Sequence, residues 1–416
     1  MQRGYYTHTD ITDFGPYVTK LILPFPQTVP AGAVDASCFS VYVRRLDSQG
    51  RVALLAKSWM DRENKVASQG YVAVKKAYPS DRQGVELPQG DFVTLEMDYG
   101  PLCPLSSRIA CPAEHNIYLF SDYKITQVKP VGEVAGLEYG LPLGDDMPAA
   151  EGWLNQWEAP LNYGYYIPQQ VEPGPRPLII WLHGAGEGGQ EPSIAYTANK
   201  VVALTSPKVQ KLFGGAYVLA PQTPTFWMND GSGEYGRSGK SMYLEDLKTT
   251  IERFIARNEN IDRNRIYIGG DSNGGFMTMR MLLSFPELFA AAFPVCEALY
   301  DETITEAELA GIVHKPVWFT HAKNDPVVAP AETVEPTYRR LKEAGAQNVH
   351  FTFWDKVEDI HEGFVDESGK PFEYMGHFTW IPMLNDDCRV DLDGSPVVWN
   401  GQEVTLLEWL AQQKKD

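Results

Sequence analysis

Residues Gly270-Asp271-Ser272-Asn273-Gly274 place a serine between glycines where an apolar, strand-like run, Arg265–Gly269, ends. Beyond it Phe276, Met279 and Leu283 recur at helical spacing. The pattern is G-x-S-x-G, a turn from strand into helix so tight that side chains two residues from the serine would collide. Glycines remove that collision, and the turn lifts the serine oxygen clear of the sheet. A serine hydroxyl is a weak nucleophile until a base takes its proton, and the base needs an acid to orient it.

In doubly wound folds that use this elbow, the chain order is serine, acid, histidine, each at the C-terminal end of a strand or in the loop beyond. Asp325 lies in "KNDPVV", just past the strand-like "PVWFTHA", and is the candidate acid; its ordinary alternative is a turn aspartate before proline. Three histidines follow it. His350 lies inside "VHFTFW" and reads as a packed strand residue. His361, in "VEDIHEGF", sits among acids in a surface-like loop. His377, in "YMGHFTWIPM", follows a glycine and precedes apolar residues able to anchor a loop, so it is favoured over His361. Backbone N–H donors must also face the oxygen that becomes negative. Asn273, after the serine, is one candidate; the other is Ala185 in His183-Gly184-Ala185-Gly186, with Gly186 as second choice.

That same glycine loop admits a rival. Gly184, Gly186 and Gly189 satisfy G-x-G-x-x-G after a strand, the dinucleotide fingerprint. No helix starts at once, however, and the next strand ends in Ala-Pro-Gln with no acid for a ribose. An oxidoreductase is disfavoured, and no cofactor and no metal are expected.

The elements that must position these groups divide into two grammars. From about Tyr17 to Val131, β-rich runs alternate with Pro, Gly, Asp and Ser joints, which suggests a small antiparallel sandwich over residues 1–131 without catalytic groups. Residues 132–152, rich in Gly, Pro and acid, read as a linker. From 153 to 416, short apolar strands alternate with amphipathic helices such as "MYLEDLKTTIERFIARN", which indicates a mostly parallel, doubly wound α/β sheet. The loop Thr223–Ser241 is long enough to be a lid, with an ordinary surface insertion as the alternative, and Trp227 near its start is a candidate wall of the substrate pocket, with a core tryptophan as the alternative.

The chain has 416 residues, 44% hydrophobic and 22% charged, enough for two domains with sizeable cores. A net charge of −18 with no Lys/Arg-rich run argues against nucleic acid and anionic membranes as partners. No signal-peptide pattern or bilayer-length apolar run is expected, and a cytoplasmic location follows. The five cysteines form no C-x-x-C pair, so neither a zinc knuckle nor a disulfide framework is indicated.

Taken together, "YGYYIP…PLIIWLHGAGEGG…VLAPQTP…RIYIGGDSNGGFMTMRMLLSFPELFAAAFPVCEA…PVWFTHAKNDPVV…GHFTW" resembles carboxylesterases related to prolyl oligopeptidase and polyhydroxybutyrate depolymerase. The whole arrangement resembles bacterial esterases with an immunoglobulin-like domain before an α/β-hydrolase domain. The resemblance implies Ser272 as nucleophile, Asp325 as acid and His377 as base of a serine carboxylesterase acting through an acyl-enzyme on a small-molecule ester. "GDSNGG" departs from the commoner "GLSMGG" by placing polar Asp271 and Asn273 beside the serine. The alternatives are a peptidase of the prolyl oligopeptidase type acting on short peptides, and a non-catalytic binding protein on the same fold. Oligomeric state is left open, a homo-oligomer included.

Overall fold

The computed structural model describes residues 2–58, 61–169, 174–233 and 236–415. Trp59, at the end of the β-rich run "RVALLAKSW", and Glu234 and Tyr235 in the long loop lie outside them. The chain divides into two compact units, Met1–Glu151 and Gly152–Asp416.

In the first unit eight strands form one continuous order: Gln69–Val72, Phe39–Leu46, Phe120–Gln127, Glu138–Asp146, Arg3–Thr12, Gly15–Pro30, Gln89–Met97 and Val74–Ser80. Alternate residues of these strands face one core, in which Tyr5, Leu21, Val43, Leu95, Tyr123 and Ile125 are all buried. Strands far apart in the order therefore cover the same core, as in a sandwich. The register of Gly15–Pro30 against Gln89–Met97 breaks between Pro24 and Val29, a bend of the kind that lets one strand serve a folded-over sheet.

The linker expected at 132–152 is corrected by this unit. Glu138–Asp146 is a strand, parallel to Arg3–Thr12 and antiparallel to Phe120–Gln127, and Tyr139 within it is fully buried with its hydroxyl donating to Pro24 O at 3.0 Å. Its Gly and Pro residues hid it. Phe120–Gln127 pairs only with Glu138 and Tyr139, so beyond them one side of the strand is unpaired by that neighbour, and Pro142 costs no ladder bond there. The parallel pairing of Arg3–Thr12 also means that the sandwich is not purely antiparallel.

The second unit has an eight-stranded sheet whose strands are β1 (Trp153–Gln156), β2 (Asn162–Tyr166), β3 (Arg176–Leu182), β4 (Tyr217–Gln222), β5 (Ile261–Asp271), β6 (Ala291–Val295), β7 (Val317–Ala322) and β8 (Val349–Trp354). Their spatial order is β1-β2-β4-β3-β5-β6-β7-β8. β2 is antiparallel to both β1 and β4, while pairs from β4 through β8 are parallel. The central strands are apolar on both faces because helices cover both. Among these are α1 (Leu244–Arg257), which buries Leu247, Ile251, Phe254 and Ile255, and α2 (Asn273–Ser284), buried along nearly its whole length. α3 (Val334–Glu343) precedes β8, and the short α4 (Trp380–Leu384) follows it.

This is the α/β-hydrolase architecture. The chain leaves β3 toward β4 on one side and later enters β5 on the other, so the order reverses at β3. Ligand sites in open α/β sheets form at such a reversal, beyond the C-terminal strand ends. Among the described residues no helix is long and apolar enough to cross a membrane.

Because Tyr139 is fully buried in the strand read as linker, Tyr139→Ala should cost on the order of 3 kcal/mol, the scale of truncating a buried aromatic. Thermal unfolding of the full chain checks this; an unchanged first-unit transition would restore the linker reading.

Candidate active site

The elbow is shaped by one carbonyl. A Cβ on Gly270 would lie 2.3 Å from Leu182 O, and one on Gly274 would lie 1.9 Å from the same oxygen. The end of β3 thus packs directly into the turn between β5 and α2. Between them Ser272 takes φ 55° and ψ −114°, a sparsely populated region that costs about 1–3 kcal/mol and persists only when the surroundings enforce it. Ser272 is the one residue from Ile266 to Leu283 that is not buried. The strain buys that exposure.

Asp325 follows β7 by three residues and is held by four donors. Its Oδ1 accepts the N–H groups of Val327 and Val328 at 2.8 and 3.0 Å. Its Oδ2 meets His377 Nδ1 at 2.7 Å and His321 Nε2 at 2.9 Å. Burial alone would raise its pKa, but the hydrogen bonds from His321 and His377 outweigh that and hold the carboxyl well below the usual carboxylate range. An ionised carboxylate only accepts, so His377 carries its proton on Nδ1 and leaves Nε2 with a lone pair. Gly376 makes the approach possible, since a Cβ there would lie 2.1 Å from Asn324 Oδ1.

His321 escaped the sequence reading, which looked for histidines only after Asp325. It precedes the acid by four residues, on β7, and is fully buried. Its Nε2 faces two acceptors, Asp325 Oδ2 and Val328 O (3.2 Å), so the proton sits on Nε2 and the ring is neutral. Burial lowers its pKa, only partly offset by Asp325.

The other histidines have different partners. His361 Nε2 meets Asp387 Oδ2 at 2.8 Å, and His350 Nδ1 meets Asp391 Oδ2 at 3.0 Å. Asp359, one of the acids around His361, accepts the backbone N–H groups of His361 and Glu362. The acidic excursion before His377 is a hairpin, Val357–Glu358 against Glu373–Tyr374, which returns the chain to Gly376.

Beyond β3, Ala185 opens a 3₁₀ turn, Ala185–Glu187, and is exposed at the sheet edge. His183 fixes this loop. Its Nε2 accepts Thr223 N–H at 3.1 Å, so Nδ1 is the protonated nitrogen and donates to Gly184 O at 2.6 Å. Asn273 begins α2, where backbone N–H groups have no acceptor within the helix. Its side-chain Oδ1 accepts Met228 N–H at 3.0 Å, which ties the long loop to the helix.

Trp227, expected at a pocket wall, is instead fully buried against His183 (5.2 Å between centroids) and Tyr243. The apolar ring is core, and it holds the loop rather than facing solvent. Further along, that loop closes on Tyr300 and Thr303: the Arg237 guanidinium lies 4.3 Å over the Tyr300 ring, and a Cβ on Gly239 would meet Thr303. Past β6, Cys296 faces the Ser272 backbone and the side chain of Thr379, two residues after His377. Next to it Glu297 is buried, with its carboxyl pushed up to about 8 by burial. One Glu297 oxygen accepts Leu299 N–H at 2.7 Å, and the other has no partner among the described residues.

Fold and site together define an α/β-hydrolase unit bearing a strained elbow serine and a buried histidine–aspartate pair, preceded by an immunoglobulin-like unit. Residues 4–140 match the esterase Ig-like N-terminal domain, and residues 226–309, which include Ser272, match the prolyl oligopeptidase family. Poly(3-hydroxyalkanoate) depolymerase C of Paucimonas lemoignei is 28% identical over 136 residues, covering 31% of this chain and 29% of that protein. Feruloyl esterase B of Neurospora crassa is 29% identical over 164 residues, covering 36% of this chain and 51% of that protein. The chain thus spans about half or less of these relatives. The crystal structure of a thermostable esterase shares the fold over 99% of both chains, with TM-score 0.74 and 24% identity.

A neutral, buried His321 has a consequence for acid stability. A histidine whose folded pKa is lowered stabilises fully above its unfolded value, about 6.5, and that contribution is lost as pH falls below it. Thermal midpoints between about pH 7.5 and pH 5 should fall less steeply in His321→Gln than in the wild-type chain; identical slopes would show that His321 does not titrate in this range.

Proposed function

We propose that the chain is a serine carboxylic ester hydrolase. Ser272 Oγ attacks the ester carbonyl while its proton passes to His377 Nε2. Asp325 keeps the imidazole in the required tautomer and stabilises the imidazolium. The oxygen that becomes negative is met by the N–H groups of Asn273 and Ala185. The tetrahedral species collapses as the imidazolium protonates the departing alkoxide, which leaves an acyl-enzyme. Water, deprotonated by His377, then releases the acid.

The observation that carries this reading is the contact of His377 Nδ1 with Asp325 Oδ2 at 2.7 Å, on the sheet edge where Ser272 alone of its elbow is not buried. The relatives support carboxylic esters as the substrate class, since one is named for polyester cleavage and the other for feruloyl esters. A second reading, cleavage of short peptides, is favoured by the prolyl oligopeptidase match across the elbow. A panel of acyl esters, feruloyl esters and aminoacyl anilides separates the two.

Ser272→Ala should abolish ester turnover and fluorophosphonate labelling while the protein still folds; full activity in that variant would sink the mechanism. His377→Ala should lower kcat by roughly 10⁴-fold or more, whereas His361→Ala should stay within about twofold of wild type. Rates on one soluble ester at neutral pH decide, and the opposite ranking would transfer the base to His361.

A further inference from the structure

Directly beneath the proposed oxyanion loop, two acids meet. Asp271, the last residue of β5, and Glu187, in the turn after β3, are both buried. Asn199 Nδ2 reaches Asp271 Oδ2 at 3.1 Å and Glu187 Oε2 at 3.4 Å. A Cβ on Gly184 would lie 2.6 Å from Asp271 Oδ2 and 3.0 Å from Glu187 Oε2. Both carboxyl groups therefore converge on the point where the loop leaves its strand. The Gly184 N–H also donates to Asp271.

The groups around the Asp271 carboxyl are Glu187 and His183 from the loop after β3, Asn199, and the Cys296 thiol past the end of β6, with Glu297 following it. His183 is engaged through both ring nitrogens by backbone, and none of these groups is a cation directed at Asp271. Burial first, and the Glu187 charge second, push the Asp271 carboxyl well above its ordinary range. Two buried carboxylates that meet the same Asn199 amide cannot both ionise without strong repulsion.

We propose that Asp271 and Glu187 hold one proton between them, and that this proton fastens the oxyanion loop to the nucleophile strand. The inference rests on the hydrolase reading above and assigns both acids as positioning residues. With the proton present, one carboxyl donates, and Gly184 stays against Asp271 so that the Ala185 N–H faces the reacting oxygen. When the proton is lost, two like charges press apart at the base of the loop. Because the folded-state pKa of Asp271 is raised, the protonated arrangement holds below that value and is lost as pH rises through it. The oxyanion contact forms fully only in the transition state, so the loss falls on kcat rather than on KM.

The test is the pH profile of the full chain on a chromogenic acetate ester, from about pH 6 to about pH 10, corrected for spontaneous hydrolysis. Wild-type kcat should fall about fivefold or more on the alkaline side, with KM steady within about twofold. Asp271→Asn keeps a donor that cannot ionise, so its alkaline limb should be absent. Glu187→Gln removes the second charge and should also lose the limb, which covers the case in which Asp271→Asn does not fold. Glu297→Gln, the control for the other buried acid, should keep it. A wild-type profile flat to high pH, a limb retained in Asp271→Asn or Glu187→Gln, or a limb lost only in Glu297→Gln overturns the shared proton. Fluorophosphonate labelling of the wild-type chain at neutral pH separates the two levels. A labelled, active enzyme with the wrong limb sinks the acid pair alone, whereas an unlabelled, inactive one sinks the hydrolase reading and this inference with it.

Discussion

Everything at the sheet edge that carries Ser272 depends on how closely the Leu182 carbonyl packs into the elbow. That oxygen occupies the space where side chains of Gly270 and Gly274 would stand. The contact locks the end of β3 to the turn between β5 and α2. It thereby sets the loop carrying Ala185 beside the residue carrying the hydroxyl. Gly275 extends the same economy toward β6, because a Cβ there would lie 2.7 Å from Val295 O. Backbone packs against backbone on both sides of Ser272, and no side chain has room to relax its unusual dihedrals. A strained conformation survives when its neighbours over-determine it, and here the neighbours are main chain.

The electrostatics follow from that tight geometry. A carboxylate removed from water needs donors, and Asp325 has two backbone N–H groups and two imidazoles on it. One imidazole, His377, comes from a distant loop and meets Asp325 through Nδ1. The other, His321, comes from the strand itself and occupies the same oxygen without leaving the core. Sharing Oδ2 between two rings fixes that oxygen from two directions, so the His377 ring inherits the rigidity of β7. On the opposite side of the elbow two acids, Asp271 and Glu187, are buried beside His183, and burial pushes the Asp271 carboxyl above its ordinary range.

Much of this was legible before any coordinates. The glycine-flanked serine, the change from period-two to helical grammar, and Asp325 past a strand end each carry local signals that tertiary context does not erase. The brace on Asp325 was not legible, because a histidine inside an apolar strand reads as core, and His321 is core as well as brace. Asn199 and Glu187 join the site only through a turn whose shape depends on contacts far along the chain. Trp227 admitted two readings, pocket wall and core, and its loop position could not decide between them; its ring is sealed between His183 and Tyr243. Gly and Pro in Glu138–Asp146 imitated a linker because a strand unpaired along part of one side tolerates both.

That last strand also sets an order of events during synthesis. The first strand, Arg3–Thr12, can zip onto Gly15–Pro30 as soon as both have emerged, but its other edge waits for Glu138–Asp146. Well over a hundred residues separate the two, and at ribosomal speeds of about 5–20 residues per second the gap is of the order of ten seconds. Throughout that interval the nascent chain presents an open β-edge along Arg3–Thr12, the kind of surface that pairs with other chains. Slow translation between the two strands lengthens the exposure of that edge, and a chaperone bound near the tunnel exit covers it until Glu138–Asp146 arrives.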